Sequence, residues 1–262
     1  MEIRAGELSR FSSISRDLVI AVLGQGFEKL IAFVVIAVLV RYFDQTQIGQ
    51  FFLAISVTSI VAALTELGTS SHLVRAVARQ TEQAGAHVSR VLYLRLPLSA
   101  AATVAVCAGA ALLVPEQFGI YALVSVYVLG SDLYYAFGAA LTGLRRVAER
   151  VISGLIGPAV LLLLVPLAAA GGLTLGAVLM IYAASSVVML LAAWRIVLRH
   201  TGPLAGAPGV EALRDTLKGA LPMFAMALLA PVFEALGWIH DPYEQELSSR
   251  LMNPFWHQAK VS

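Results

Sequence analysis

Charged side chains are scarce in this sequence: only 13% of its 262 residues are Asp, Glu, Lys or Arg, whereas 59% are hydrophobic. Soluble globular proteins carry about 25% charged residues, so this composition excludes an ordinary soluble domain. The single cysteine, Cys107, excludes an intrachain disulfide. It lies inside an apolar run, which predicts a small buried residue.

The motifs of several enzyme classes are also absent. We find no phosphate-binding loop and no nucleophile–base arrangement, and the five histidines are scattered without metal-ligand spacing. Signatures of nucleic-acid recognition are missing as well. The sequence therefore predicts a protein that is not an enzyme, holds no cofactor or metal and binds no nucleic acid.

Long apolar runs dominate what remains. Leu96–Val114, Val151–Ala170 and Leu173–Trp194 each contain about twenty residues and no charge. A helix rises about 1.5 Å per residue, so such a run spans the roughly 30 Å hydrocarbon core of a bilayer. These runs predict an all-α integral membrane protein, a multi-pass bundle of six to seven transmembrane helices. Leu18–Val40 is too long for a signal peptide and is expected to be a retained first span.

The predicted organisation uses the whole chain. Residues 1–17 are expected to be a cytoplasmic N-terminus, 18–200 a six-helix lobe, 201–216 a cytoplasmic loop, 217–236 a weak seventh span, and 237–262 a disordered tail. Within these bounds the spans are predicted at 18–40, 48–70, 91–114, 118–143, 151–170, 173–197 and 217–236.

Basic residues are distributed unevenly between the two ends of the spans. Most of them belong to the N-terminus and to alternate connections, whereas the connections at the other end of the spans contain Arg41 alone. Because basic residues favour the cytoplasmic side, this asymmetry predicts a cytoplasmic N-terminus. The basic residues assigned to the N-terminus and to alternate connections are Arg4, Arg10, Arg16, Arg75, Arg79, Arg90, Arg95, Arg145, Arg146, Arg150, Arg195, Arg199, Arg214 and Lys218.

Polar residues recur at helical spacing inside three spans. The faces consist of Ser56, Ser59, Ala63, Glu66 and Ser70; of Ala21, Gln25, Glu28 and Ala32, bordered by Lys29; and of Ser131, Tyr135, Gly138 and Thr142, beside Asp132. Intramembrane charge is expensive and needs a partner or water. One interpretation is an interhelical ion pair of Lys29 with Asp132 or Glu66. The other, favoured for Asp132 and Glu28, is a polar path for a charged substrate or a coupling ion. Its candidate residues are Gln25, Glu28, Lys29, Ser59, Glu66, Asp132 and Tyr135.

Several segments, in this order and spacing, resemble a known family. They are Leu39–Phe52, Leu64–Thr69, Leu73–Arg79 and Leu217–Pro222. The first contains an arginine and aromatic residues followed by Gly49, and the second contains the acidic–leucine–glycine triplet of Glu66 and Gly68. This pattern is similar to that of polysaccharide biosynthesis proteins, the oligosaccharide flippases of the multidrug/oligosaccharidyl-lipid/polysaccharide exporter superfamily, over roughly residues 10–230.

The resemblance implies the N-terminal lobe of a MATE-like flippase in the bacterial inner membrane. Such proteins move undecaprenyl-linked oligosaccharide, a precursor of lipopolysaccharide O-antigen, exopolysaccharide or capsule, to the outer leaflet. It implies no cofactor, coupling to H⁺ or Na⁺, and membrane lipids and a lipid-linked glycan as partners. The positions that match the family motifs are Arg41, Gly49, Glu66, Gly68 and Arg75.

Family members have two lobes, whereas this sequence accounts for one lobe and a seventh span. A truncated or frame-shifted fragment is one expectation. A half-transporter that forms a homodimer, or that joins polysaccharide-assembly proteins, is another. Two other functions also stay open: a multidrug exporter-like antiporter and a non-transporting membrane partner of glycosyltransferases, with the loop Arg195–Lys218 as its contact surface.

Overall fold

The computed structural model describes residues 2–204, 206 and 208–236, and this part of the chain contains helices and no strands. Short 3-10 turns, Thr81–Gln83 and Pro115–Gln117, precede two of the helices. The α-helices are α1 (Glu2–Tyr42), α2 (Gln45–Glu66), α3 (Thr69–Arg79), α4 (Ala84–Leu113), α5 (Phe118–Gly143), α6 (Val147–Ala170), α7 (Leu175–Thr201) and α8 (Val210–Leu236).

Within this described part, six helices are long and apolar enough to cross a membrane: α1 from Arg16 onward, α2, α4, α5, α6 and α7. They correspond to the first six predicted spans. Their faces carry many exposed apolar side chains, including Phe33, Leu112 and Leu163. Such surfaces suit contact with lipid, so the predicted fold, an all-α multi-pass membrane protein, is confirmed.

The helices differ from the predicted spans mainly at their ends. Helix α1 starts at Glu2 rather than at residue 18, and α8 starts at Val210, inside the segment predicted to be a loop. Helix α3 occupies a connection for which no helix was predicted. Hydropathy detects only the part of a helix that lies in hydrocarbon, whereas backbone hydrogen bonds continue through the interface. The predicted tail, residues 237–262, lies outside the described residues.

The acidic–leucine–glycine triplet forms the break between α2 and α3. Leu67 and Gly68 have φ angles of 50° and 68°, so two consecutive residues are left-handed. Glycine adopts this conformation without the cost that a Cβ imposes. The Thr69 hydroxyl then donates to the Glu66 carbonyl over 2.7 Å. The motif therefore ends one helix and begins another.

Helix α5 is the central element of the bundle. It packs most extensively against α7 and also contacts α4, α3 and α2. Helix α1 packs mainly on α6, which in turn packs on α7. Gly24 permits the close approach of α1 to α6, because a Cβ at this position would overlap the side chain of Val151.

The buried apolar residues form two clusters at opposite ends of the bundle. One includes Phe51, Val124 and Tyr182 near the α1–α2, α4–α5 and α6–α7 turns. The other includes Val77 and Val197 near α3 and the end of α7. Buried polar residues lie between the clusters, and we call them the polar layer: Arg95 and Ser99 of α4, Asp132 of α5, and Ser185 and Ser186 of α7.

Candidate functional site: a polar cleft in the membrane bundle

The polar layer is centred on an ion pair between α4 and α5. Arg95 is 1% exposed and Asp132 is 7% exposed. Arg95 Nε lies 3.1 and 3.0 Å from the two carboxylate oxygens of Asp132, and Nη2 lies 2.6 Å from Oδ1. This fork-like contact is the strong, geometrically specific form of an arginine–carboxylate interaction. The pair therefore fixes the register of α4 against α5.

Three further side chains complete this network. The Ser99 hydroxyl donates to Oδ2 of Asp132 over 2.7 Å, and Arg95 Nη1 donates to the Ser70 hydroxyl over 3.0 Å. Glu66 Oε1 lies 3.7 Å from Arg95 Nη2, and the Glu66 side chain is 41% exposed. Residues of α2, α3, α4 and α5 thus meet at one guanidinium. Buried polar networks are stabilising when all members are paired, as Arg95 and Asp132 are here.

Two sequence-based assignments are wrong at this network. Arg95 was assigned to a cytoplasmic connection, but it lies inside α4. Lys29 was offered as the partner of Asp132 or Glu66, but Arg95 pairs with both. In the described part of the chain Lys29 forms no ion pair, and it is exposed. The spacing of Arg95 and Ser99, one turn apart, could have indicated a polar face on this span, although not its partner on another helix.

An open cleft of about 340 Å³ lies beside the network, and we call it the α2–α5 cleft. The polar faces that were predicted on the second and fourth spans meet in it. Tyr135 is 50% exposed there. The polar lining residues are Ser59, Glu66, Arg95, Tyr127, Ser131, Asp132 and Tyr135. The structure therefore brings four of the candidate path residues together, namely Ser59, Glu66, Asp132 and Tyr135.

A smaller cleft, of about 50 Å³, lies between α1, α5 and α6. Gln25 and Glu28 line it together with Tyr134, Tyr135 and Arg150. The Tyr134 hydroxyl donates to the Arg150 carbonyl over 3.0 Å, which ties α5 to α6. Tyr135 lines both clefts, so Gln25 and Glu28 lie next to the α2–α5 cleft rather than in it. Lys29 lines neither of them.

The family-motif positions are distributed over both ends of α2. Arg41 and Gly49 are exposed near the α1–α2 turn, far along the helix from Glu66. Glu66 belongs to the charged network, and Gly68 forms the left-handed break. Arg75 is exposed on α3. Of these positions, only Glu66 lines the α2–α5 cleft.

The chemistry of the α2–α5 cleft is that of a hydroxyl-binding surface. Its carboxylates accept hydrogen bonds, and its serine and tyrosine hydroxyls both donate and accept, whereas the buried Arg95 guanidinium is engaged by Asp132, Ser70 and Glu66. Among the described residues, no group of three or more His, Cys, Asp and Glu side chains could hold a metal ion. The lining of the cleft therefore offers hydrogen-bond partners to a polar group.

Comparison with known proteins adds one finding. The model of the polysaccharide biosynthesis protein family matches residues 14–239, which include all six membrane-spanning helices. No curated protein and no solved structure matches this chain. The match covers most of the sequence and agrees with the resemblance found in its motifs. The chain belongs to the polysaccharide biosynthesis protein family, whose members are membrane transporters of the flippase type.

Proposed function

We propose that this chain takes part in moving undecaprenyl-linked oligosaccharide from the cytoplasmic to the outer leaflet of the bacterial inner membrane. The observation that carries the proposal is the α2–α5 cleft, an open space within the helical bundle that carboxylate and hydroxyl side chains line. A lipid-linked glycan needs such a surface, because its sugar hydroxyls cannot cross hydrocarbon without hydrogen-bond partners.

Within this proposal the network residues have different roles. Asp132 is held by Arg95 and Ser99, so it presents a fixed charge at the wall of the cleft. Glu66 is partly exposed to the cleft and lies at the longer distance of 3.7 Å from Arg95. We assign Glu66 to sugar hydroxyls or to a coupling H⁺ or Na⁺, and Tyr135 to sugar contacts. The exposed ammonium of Lys29 is assigned to the phosphate.

Glu66→Gln and Tyr135→Phe are expected to lower export of surface polysaccharide at least tenfold, with lipid-linked precursor accumulating inside the cell. A tenfold loss corresponds to about 1.4 kcal/mol, which is within the range for one or two hydrogen bonds to a polar ligand. The measurement is the amount of surface polysaccharide in a deletion strain that carries each variant. Both substitutions preserve the size of the side chain.

The matched controls are Glu116→Gln, an exposed carboxylate in the α4–α5 turn, and Tyr93→Phe. Tyr93 is 50% exposed, the same as Tyr135, but does not line the cleft. If deletion of the gene left surface polysaccharide unchanged and made cells sensitive to cationic drugs, the multidrug-exporter function would replace the proposal. Equal losses of surface polysaccharide in the test variants and the control variants would also contradict the proposal.

The orientation of the chain is part of the same proposal: the end of the bundle that contains α3 faces the cytoplasm. After Cys107→Ala removes the single cysteine, new cysteines can report on each end. We expect a membrane-impermeant maleimide to label Glu116→Cys in intact cells and to label Gln80→Cys only after permeabilisation. Both positions are exposed, so accessibility within the fold does not limit the reaction. The reverse labelling pattern would invert the topology.

A further inference from the structure

A second cleft, of about 700 Å³, lies at the end of the bundle that carries α3. We call it the α3–α8 cleft. It is the size of a pocket for a small molecule or a headgroup, for which roughly 300–1,000 Å³ is typical. Its charged lining residues are Arg75 and Arg79 of α3, Arg90 of α4, and Glu211 and Asp215 of α8.

The three arginines of this cleft are not paired with carboxylates. In the part of the chain that the structure describes, Arg75, Arg79 and Arg90 take part in no ion pair. Glu211 and Asp215 line the same cleft from α8, and they form no ion pair either. Guanidinium groups are suited to phosphate because their donors match the spacing of two phosphate oxygens. The space between the basic and acidic sides is thus open to a ligand.

The close approach of His72 to Gly219 shapes the cleft. A Cβ at Gly219 would lie 2.5 Å from Cε1 of His72, so a side chain at this position would displace the imidazole ring from where it now packs. Burial lowers the pKa of His72 below its ordinary value, more than the hydrogen bond with the Gly219 backbone raises it. The imidazole is therefore uncharged at neutral pH, and the positive charge on the α3 side comes from arginines.

We infer that the α3–α8 cleft binds a phosphate-bearing headgroup that also carries hydroxyl groups. Arg75, Arg79 and Arg90 bind the phosphate oxygens, and Glu211 and Asp215 accept hydrogen bonds from the neighbouring hydroxyls. The headgroup of phosphatidylglycerol, a polyprenyl-diphosphate-linked sugar and a free sugar phosphate share this chemistry. The inference does not depend on transport, because binding can be measured while export is intact or lost.

The test is binding of four probes to the full chain in a neutral detergent, followed by native mass spectrometry. The probes are phosphatidylglycerol, phosphatidic acid, a polyprenyl-diphosphate-linked sugar and glucose 1-phosphate. We expect the double variant Arg75→Gln/Arg79→Gln to weaken the binding of the tightest-binding probe at least tenfold. The matched control, Arg195→Gln/Arg199→Gln, removes two exposed arginines with the same spacing from α7 at the same end of the bundle. It is expected to change binding less than twofold.

A second variant separates hydroxyl recognition from charge. Glu211→Gln/Asp215→Asn is expected to reduce the preference for phosphatidylglycerol over phosphatidic acid, which has no headgroup hydroxyls, at least fivefold. Arg75 and Arg79 are exposed, so their replacement is compatible with folding, and Arg90→Gln gives an independent third variant. The probe that binds tightest identifies the source of the headgroup. Equal weakening by the α3 and α7 pairs, or no weakening by either, would overturn the inference.

Discussion

Replacement of Arg95 by methionine is expected to reduce the free energy of unfolding by about 3–5 kcal/mol, because it leaves the buried carboxylate of Asp132 without its cation. Methionine retains most of the length of the arginine stem, so the loss of stability is due to the missing charge more than to a change in side-chain volume. The Asp132 carboxylate would keep only the hydroxyl of Ser99 as a partner. The measurement is equilibrium unfolding in mixed micelles of a neutral detergent and SDS.

The double variant Arg95→Met/Asp132→Leu separates the stability of the bundle from its activity. Replacement of both members of a buried ion pair by apolar residues is often neutral, so most of the lost stability should return. If Asp132 contributes to the substrate path, export stays low in this variant despite the recovered fold. Arg195→Met, at an exposed arginine, is the control for loss of charge. A double variant as unstable as Arg95→Met would contradict the pairing, and normal export would remove Asp132 from the path.

Gly143→Ala is expected to destabilise the chain by about 1–3 kcal/mol, the usual cost of extra volume in a packed core. Gly143 is the last residue of α5 and is buried against α3. An added Cβ would lie 2.8 Å from Cβ of Val77 and 2.9 Å from the carbonyl oxygen of Val74. A backbone carbonyl cannot move aside as a flexible side chain can, so α3 as a whole must shift away from α5.

Two measurements test the effect of Gly143→Ala. Equilibrium unfolding gives its size, and limited trypsin digestion gives its location, because an α3 that no longer packs on α5 unfolds locally more often and is cut faster after the exposed Arg75 and Arg79. Gly109→Ala is the matched control, since no atom lies within 4 Å of an added Cβ at this mid-helix position. At position 109, alanine should raise the free energy of unfolding by up to about 1 kcal/mol, because alanine has a higher helix propensity than glycine. Equal behaviour of the two variants would show that α3 does not pack on Gly143 in the protein.

The transmembrane helices could be predicted from sequence because hydrophobic length is a local property. The fourth span illustrates this, since its predicted bounds of 118–143 coincide with helix α5. Helix α3 was not predicted, because its short amphipathic pattern is not long enough to cross a membrane and its stability comes from packing Leu73 and Val77 against the bundle. The start of α8 was missed for a related reason, as its polar first turns resemble a loop in a hydropathy profile.

The candidate site was predicted in part. Helical periodicity placed Ser59 and Glu66 on one face and Asp132 and Tyr135 near another, and these faces meet in the α2–α5 cleft. Periodicity gives the direction of a side chain on its own helix, but it cannot give its partner on another helix. Arg95 and Asp132 are 37 positions apart, and their contact depends on the relative height of α4 and α5. This explains why Lys29 was offered as a partner in one of the two interpretations and Arg95 was overlooked.

The placement of the buried ion pair also bears on how the chain enters the membrane. Arg95 and Asp132 belong to consecutive spans that are separated only by the short turn Pro115–Gln117. An isolated arginine or aspartate at the middle of the bilayer costs about 2.5–3.5 kcal/mol on insertion scales. Because α4 and α5 form one hairpin, each charge has its counter-ion within the same unit that enters lipid, without the help of a later helix. The order of the spans thus places both members of the buried ion pair in one hairpin, where Arg95 and Asp132 neutralise each other.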